Sequence, residues 1–263
     1  MKRFIISVAA IVLVCNPPTF AALTDGLVAY WSFDATNAVD NSGNGHDGTI
    51  HGATPIAGIR GNAYNFNGNG NWIGVARSSA FDLTNNLTIG AWIKYNSIAG
   101  VFGSQILWYG DTTPASDPWE LHLLPGGTDQ FRLDVGTGGV ELRLNASNTL
   151  SSGTWYFLAA TEATVGTLKT LKIYVNGALA GSMVTNAPVS YDLSNMHVEI
   201  GSADNGSWQF FNGIIDEPFV YNRALSDQEI GQIYLTGIPE PTTSALMISA
   251  VLLLACAFKR RRT

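Results

Sequence analysis

The chain has 263 residues, 46% of them apolar and 13% charged, with 14 Lys plus Arg against 20 Asp plus Glu. Twelve Phe and seven Trp beside so little charge exclude a disordered chain and a charged coiled coil. A net charge of −6 excludes the clustered cations that a nucleic-acid partner requires.

Residues 1–22 place Lys2 and Arg3 before an apolar run at 4–14 and close on Thr19-Phe20-Ala21-Ala22. This is the layout of a secretory signal peptide, with cleavage after Ala21 or Ala22. From 27 to 221 the pattern is one of short strands broken by Gly and Asn. Leu87, Ile89, Ala91 and Ile93 alternate with Thr88, Gly90, Trp92 and Lys94, the period of two of a half-buried strand. The same alternation recurs at 119–124, 131–135, 140–144 and 171–175. Asn176-Gly177 predicts a type I′ hairpin, because both residues tolerate positive φ. Ser226 with Glu229 three residues on predicts a capping box, and Ile230, Ile233 and Tyr234 give the short helix behind it one apolar face. Repeated short strands over some 200 residues predict one all-β domain at 23–237, an antiparallel β-sandwich or jelly roll closed by that helix.

The end of the chain reads Pro239-Glu240-Pro241, an uncharged run at 242–258, then Lys259, Arg260, Arg261 and Arg262. The run is long enough to span a bilayer when end residues snorkel, and the basic cluster places its end on the cytoplasmic side and the domain outside. A Pro-Glu-Pro tripeptide, a single apolar helix and a terminal Arg run resemble the PEP-CTERM sorting signal of Gram-negative bacteria. The resemblance implies transient inner-membrane anchoring, recognition by an exosortase-type protease, and delivery to the cell surface or extracellular matrix; retention as a permanent anchor is the alternative. Setting both ends aside leaves 8 basic and 19 acidic residues, a net charge of −11, and removes both cysteines, Cys15 and Cys256. The expected exported domain therefore has no disulfide and relies on its apolar core.

Several segments together resemble the laminin-G-like, concanavalin A-like lectin/glucanase superfamily. They are Leu27-Val28-Ala29-Tyr30-Trp31-Ser32-Phe33-Asp34, Asp40-Asn41-Ser42-Gly43-Asn44-Gly45 with Asp47-Gly48, Gly61-Asn62-Ala63-Tyr64-Asn65-Phe66-Asn67-Gly68, Leu87-Thr88-Ile89-Gly90-Ala91-Trp92-Ile93, Ile173-Tyr174-Val175-Asn176-Gly177, and Phe211-Asn212-Gly213-Ile214-Ile215-Asp216-Glu217 with Tyr221-Asn222-Arg223-Ala224-Leu225-Ser226 and Glu229. Pro218 departs from the pattern, and since Pro cannot donate to a sheet ladder it predicts an edge strand or a bulge.

The resemblance implies one structural Ca2+ between the first and last strands, with Asp34, Asn44, Asp47 and Asp216 as candidate ligands. It also implies a non-catalytic carbohydrate-binding role. By strand parity Trp92, Tyr174, Glu120, His122, Arg132, Asp134, Glu141 and Arg143 point away from their apolar neighbours. Trp92, Tyr174, His122, Arg132 and Arg143 are accordingly candidate ligand-binding residues, joined by Trp119 from the loop aromatics, with Trp72, Trp108, Trp208 and Phe210 as further ones. Catalysis has little support. The Glu-x-Asp-x-x-Glu string of glycosidases on this fold is missing, the mature chain has no Cys, and His46, His51, His122 and His197 lack metal-ligand spacing. The alternatives are a matrix or adhesion protein without a glycan site, and a polysaccharide hydrolase or lyase.

Overall fold

The computed structural model describes residues 22–98, 100–111, 117–125, 142–148, 150–186, 193 and 195–240, and the backbone alone of 130–135. The first strands are β1 (Leu27–Tyr30), β2 (Gly48–His51), β3 (Thr54–Ala57), β4 (Asn62–Asn67) and β5 (Trp72–Val75). Next come β6 (Asn86–Ser97), β7 (Ser104–Gly110), β8 (Trp119–Leu124), β9 (Gln130–Val135) and β10 (Leu142–Asn145). The last are β11 (Tyr156–Val165), β12 (Leu168–Val175), β13 (Ala178–Thr185), β14 (His197–Ile200) and β15 (Asn212–Tyr221), followed by helix α1 (Asp227–Thr236). They form two antiparallel sheets, ordered β13-β12-β11-β6-β15-β4-β3 with β1 also on β15, and β10-β9-β8-β7-β14-β5-β2. The predicted all-β sandwich with one terminal helix is the observed architecture.

Alternation places the core between the sheets. Leu87, Ile89, Ala91 and Ile93 from one sheet meet Leu107, Tyr109, Leu121, Val198 and Ile200 from the other, all fully buried. The predicted turns hold: Asn176 and Gly177 take φ of +50° and +78° between β12 and β13. Ser226 accepts from the Glu229 amide while Glu229 Oε2 accepts from the Ser226 amide at 2.8 Å, which closes the capping box. Pro218 sits in a bulge. The pairing of β15 with β6 shifts register between Asp216 and Phe219, and Glu217 takes a φ of +49°. The bulge lets β15 pair with β4 through Ile215 and with β1 through Phe219, so a proline is accommodated in the interior of the sheet.

Helix α1 decides which face of the first sheet is exposed. It lies across the outer face, and Ile230 and Ile233 join Trp92, Phe157, Tyr174, Phe219 and Tyr221 in a second apolar cluster. Tyr234 stacks on Trp92 with centroids 5.5 Å apart, and Tyr174 Oη donates to Asp227 at 2.8 Å. The cluster continues past the helix to Ile238, which is 6% exposed.

No helix among the described residues is long and apolar enough to cross a membrane. The predicted signal peptide, Pro241, the 242–258 run and the Lys259–Arg262 cluster lie outside the described residues, apart from Ala22 at the end of the signal segment.

Candidate ligand-binding groove

Three loops at one end of the second sheet form a shallow groove of about 160 Å3, lined by Gly68, Gly100, Val101, Phe102, Gly103, Trp208, Gln209 and Phe210. The loop leading into β7 is punctuated by Gly100 and Gly103, with φ of +76° and +90°. At Gly103 a Cβ would fall 1.9 Å from the Leu123 carbonyl, so only glycine lets the loop press on β8. Between these glycines Val101 and Phe102 point outward, 79% and 53% exposed.

The loop after β14 is held by a buried carboxylate. Glu199 has no exposure. Its Oε1 accepts from the Asn205 amide at 2.5 Å and contacts His197 Nε2 at 2.7 Å; its Oε2 accepts from Ser202 Oγ at 2.5 Å and the Gly206 amide at 3.1 Å. Asp204, Asn205 and Gly206 all take left-handed φ, which curls their amides toward that carboxylate. The loop closes on itself between Ala203 and Trp208. It packs on Trp72, where a Cβ at Gly206 would fall 2.1 Å from the indole nitrogen.

This fixed turn delivers Trp208, 47% exposed, to Phe102 in an edge-to-face pair with centroids 5.0 Å apart. Gln209 Nε2 donates to the Phe102 carbonyl at 2.8 Å, and Gln209 Oε1 accepts from Gln105 Nε2 at 2.8 Å. Gln105 is fully buried and also donates to Glu120, so the groove is tied to the polar outer face of the second sheet. The result is a preset aromatic surface edged by amide groups, and no described lining residue carries a charge. Such a surface offers ring faces for C–H stacking and fixed polar atoms at its rim.

Behind the groove the outer face of the second sheet carries Glu120, His122, Trp108 and Glu199, all at most 6% exposed. Asp117, beside Trp108, has its carboxyl pushed up to about 8, chiefly by burial and then by Glu120 and Asp204. Burial likewise raises Asp204, with the Glu199 charge adding to the effect.

The candidate ligand-binding residues read from parity and from the loop aromatics need correction. Trp92 and Tyr174 do point away from the sandwich core, but α1 covers that face and leaves them 8% and 0% exposed. His122 is fully buried with Nδ1 3.1 Å from Glu120. Trp119 is a core residue, stacked on Tyr109 at 5.1 Å and donating to the Phe81 carbonyl at 3.1 Å. Arg143 is exposed on edge strand β10, and Arg132 stands opposite His122 in β9. Of the further aromatics, Trp208 and Phe210 reach the groove, while Trp108 is buried. Phe102, Gln209 and Glu199 were not singled out from the sequence. The legible signals were an apolar pair bracketed by glycines at 100–103 and an acidic residue on the non-core parity of 197–200.

The four candidate calcium ligands do not converge as one donor set. Asp34 and Asp216 meet at the 58–61 turn, where Asp34 Oδ1 accepts from the Asn62 amide at 3.0 Å and Asp216 Oδ2 from the Ile59 and Arg60 amides at 2.9 and 3.1 Å. Asp216 is buried, its Oδ1 has no partner, and burial pushes its carboxyl up to about 7. Asn44 and Asp47 are exposed on the other loop and serve it instead. Asn44 Nδ2 donates to the Leu27 and Val28 carbonyls, and Asp47 Oδ1 accepts from the Asp40 amide. Among the described residues no group of three or more His, Cys, Asp or Glu is placed to hold a metal ion.

Two stacked antiparallel sheets whose loops carry an aromatic groove define a β-sandwich of the lectin-like fold class. A family profile described as the concanavalin A-like lectin/glucanases superfamily matches residues 67–231, more than half of the chain. The protein belongs to that superfamily. Comparison with curated proteins finds no match. Among solved structures the chain is similar to domain 4 of AbnA, a GH43 extracellular arabinanase from Geobacillus stearothermophilus, in complex with arabinotriose. The TM-score is 0.59 at 24% identity, over 79% of this chain and 98% of that one. It is also similar to the binding domain of Paraclostridial Mosquitocidal Protein 1, with a TM-score of 0.64 at 20% identity over 81% and 52% of the two chains. The binding domain of botulinum neurotoxin DC in complex with SialylT gives 0.63 at 13% over 82% and 52%. This chain thus spans about half of each toxin chain, and likenesses at these identities establish the fold alone.

Proposed function

We propose that the protein is a non-catalytic carbohydrate-binding module, exported and sorted to the cell envelope or extracellular matrix through its C-terminal segment. The observation that carries the reading is the exposed Trp208–Phe102 pair, fixed from below by Glu199 and edged by Gln209. Exposed aromatic rings held rigid lose little entropy when a sugar face stacks on them. The arabinotriose and SialylT complexes of two similar structures support a saccharide as the ligand class. Among the described lining residues there is no carboxylate, which favours binding over glycoside hydrolysis. Calcium is an expectation of the superfamily resemblance and now rests on Asp34 and Asp216 alone, with no step of recognition routed through it.

Retention on polysaccharide affinity gels tests the reading. Wild-type protein is retarded, and Trp208→Ala and Phe102→Ala elute in the void at unchanged melting temperature. Equal retardation of the variants sinks the groove as the site, and retention on whole cells without any glycan binding supports an adhesion protein instead. Export and sorting are tested by fractionation and by the mass of the mature chain, which lacks residues 1–22 if the signal peptide is removed.

A further inference from the structure

We infer that the groove takes a single uncharged sugar residue, a chain end or side branch, and discriminates against uronic, sialic and sulfated sugars. The inference rests on the carbohydrate reading of the groove and specifies its ligand class.

The first ground is charge. The groove is built from segments around Gly68, Phe102 and Trp208. Each lies in a stretch devoid of Lys and Arg, namely 61–76, 95–131 and 173–222. Charge in the last two stretches is acidic only: Asp111, Asp117, Glu120 and Asp129 in one, Asp192, Glu199, Asp204, Asp216 and Glu217 in the other. Two of these acids are wired directly to the groove. Glu199 holds the turn that presents Trp208, and Glu120 accepts from the same Gln105 amide that donates to Gln209. By strand register the flanking cations are Lys94, opposite Ile214 in β15, and Arg132, opposite His122, which in turn faces Gln105; neither lines the groove. Carboxylate and sulfate recognition relies on the charged fork of Arg or on Lys. The groove offers neutral amides and aromatic edges near acidic side chains, so an anionic sugar meets like charge with no cation among the described lining residues, whereas a hydroxylated ring meets matched partners.

The second ground is size. The cavity of about 160 Å3 is well below the roughly 300–1,000 Å3 of sites that enclose drug-sized ligands. Phe102 and Trp208 stand edge to face at 65°, so they present one stacking plane at a time and no continuous platform for a chain of rings. One ring in an open groove gives weak affinity per site, with useful retention arising from ligands that repeat the epitope.

The test is a glycan array carrying neutral pentosides, hexosides and amino-acetylated sugars beside uronate, sialylated and sulfated glycans, probed with the full protein, Trp208→Ala and Phe102→Ala. Solution titration of the methyl glycoside against the trisaccharide of the best neutral hit accompanies it. The inference predicts binding to neutral glycans that falls about tenfold or more in either variant. It also predicts monosaccharide and trisaccharide affinities within about threefold and little salt dependence. Strongest binding to acidic glycans that is lost in Trp208→Ala overturns the ligand class while leaving the groove as the site. A trisaccharide preference well beyond threefold overturns the single-ring reading, and glycan binding untouched in both variants overturns the site itself.

Discussion

Glu199 shows how one side chain sets the groove surface without lining it. Its fully buried carboxylate accepts from the Asn205 and Gly206 amides and the Ser202 hydroxyl, bonds that offset the cost of burying it. Glu199→Ala is expected to cost on the order of 3 kcal/mol in urea unfolding, and to loosen Trp208 so that glycan retention falls with stability. A substitution with unchanged midpoint and unchanged retention would falsify that role. Asp117 gives a pH signature of opposite sign to that of a salt-bridged aspartate. Burial lifts its folded-state carboxyl to about 8, whereas the unfolded chain releases the proton near ~4. Over that window the folded state binds more protons than the unfolded one, so the contribution of Asp117 to stability is full below ~4 and is lost as pH rises toward 8. Melting temperature should therefore decline between pH 5 and 8. Asp117→Asn, which keeps an acceptor for the Trp108 indole, should flatten that decline.

At the scale of elements, α1 is a lid on the first sheet. Trp92 lies beneath it against Tyr234 and Phe157, so Trp92→Ala should lower stability by about 3–5 kcal/mol as a core truncation, with glycan affinity of the remaining folded protein unchanged. Selective loss of glycan binding at full stability would return Trp92 to the ligand-binding face. Removing the cap by Ser226→Ala should cost about 1 kcal/mol, read as a lower melting temperature with both sheets intact by circular dichroism. The capping box, the Asn176-Gly177 turn and the bulge at Pro218 were all legible beforehand. Each is dictated by local backbone sterics and hydrogen bonding, which do not depend on distant packing. The burial of Trp92 and Tyr174 was not legible, because period-two alternation separates two faces without saying what lies on either.

For the whole molecule, the packed unit runs to Ile238, and Glu240 accepts from Asn41 Nδ2 at 3.3 Å. A chain ended at Gly237 should thus be less stable than one ended at Glu240 by about 1–2 kcal/mol, measurable by denaturant unfolding of the two proteins. Equal midpoints would show that Ile238 packs without stabilising. The sequence by itself determined the strands, their parity, the Asn176-Gly177 turn and the helix cap, hence a sandwich with an acidic, cysteine-free domain. Those properties follow from backbone geometry and from counting side chains. Only the tertiary structure decided that α1 covers one sheet, that Asn44 and Asp47 stand apart from Asp34 and Asp216, and that Phe102 meets Trp208. Residues so far apart in the chain are brought together by sheet order and loop packing, and no local pattern encodes that meeting.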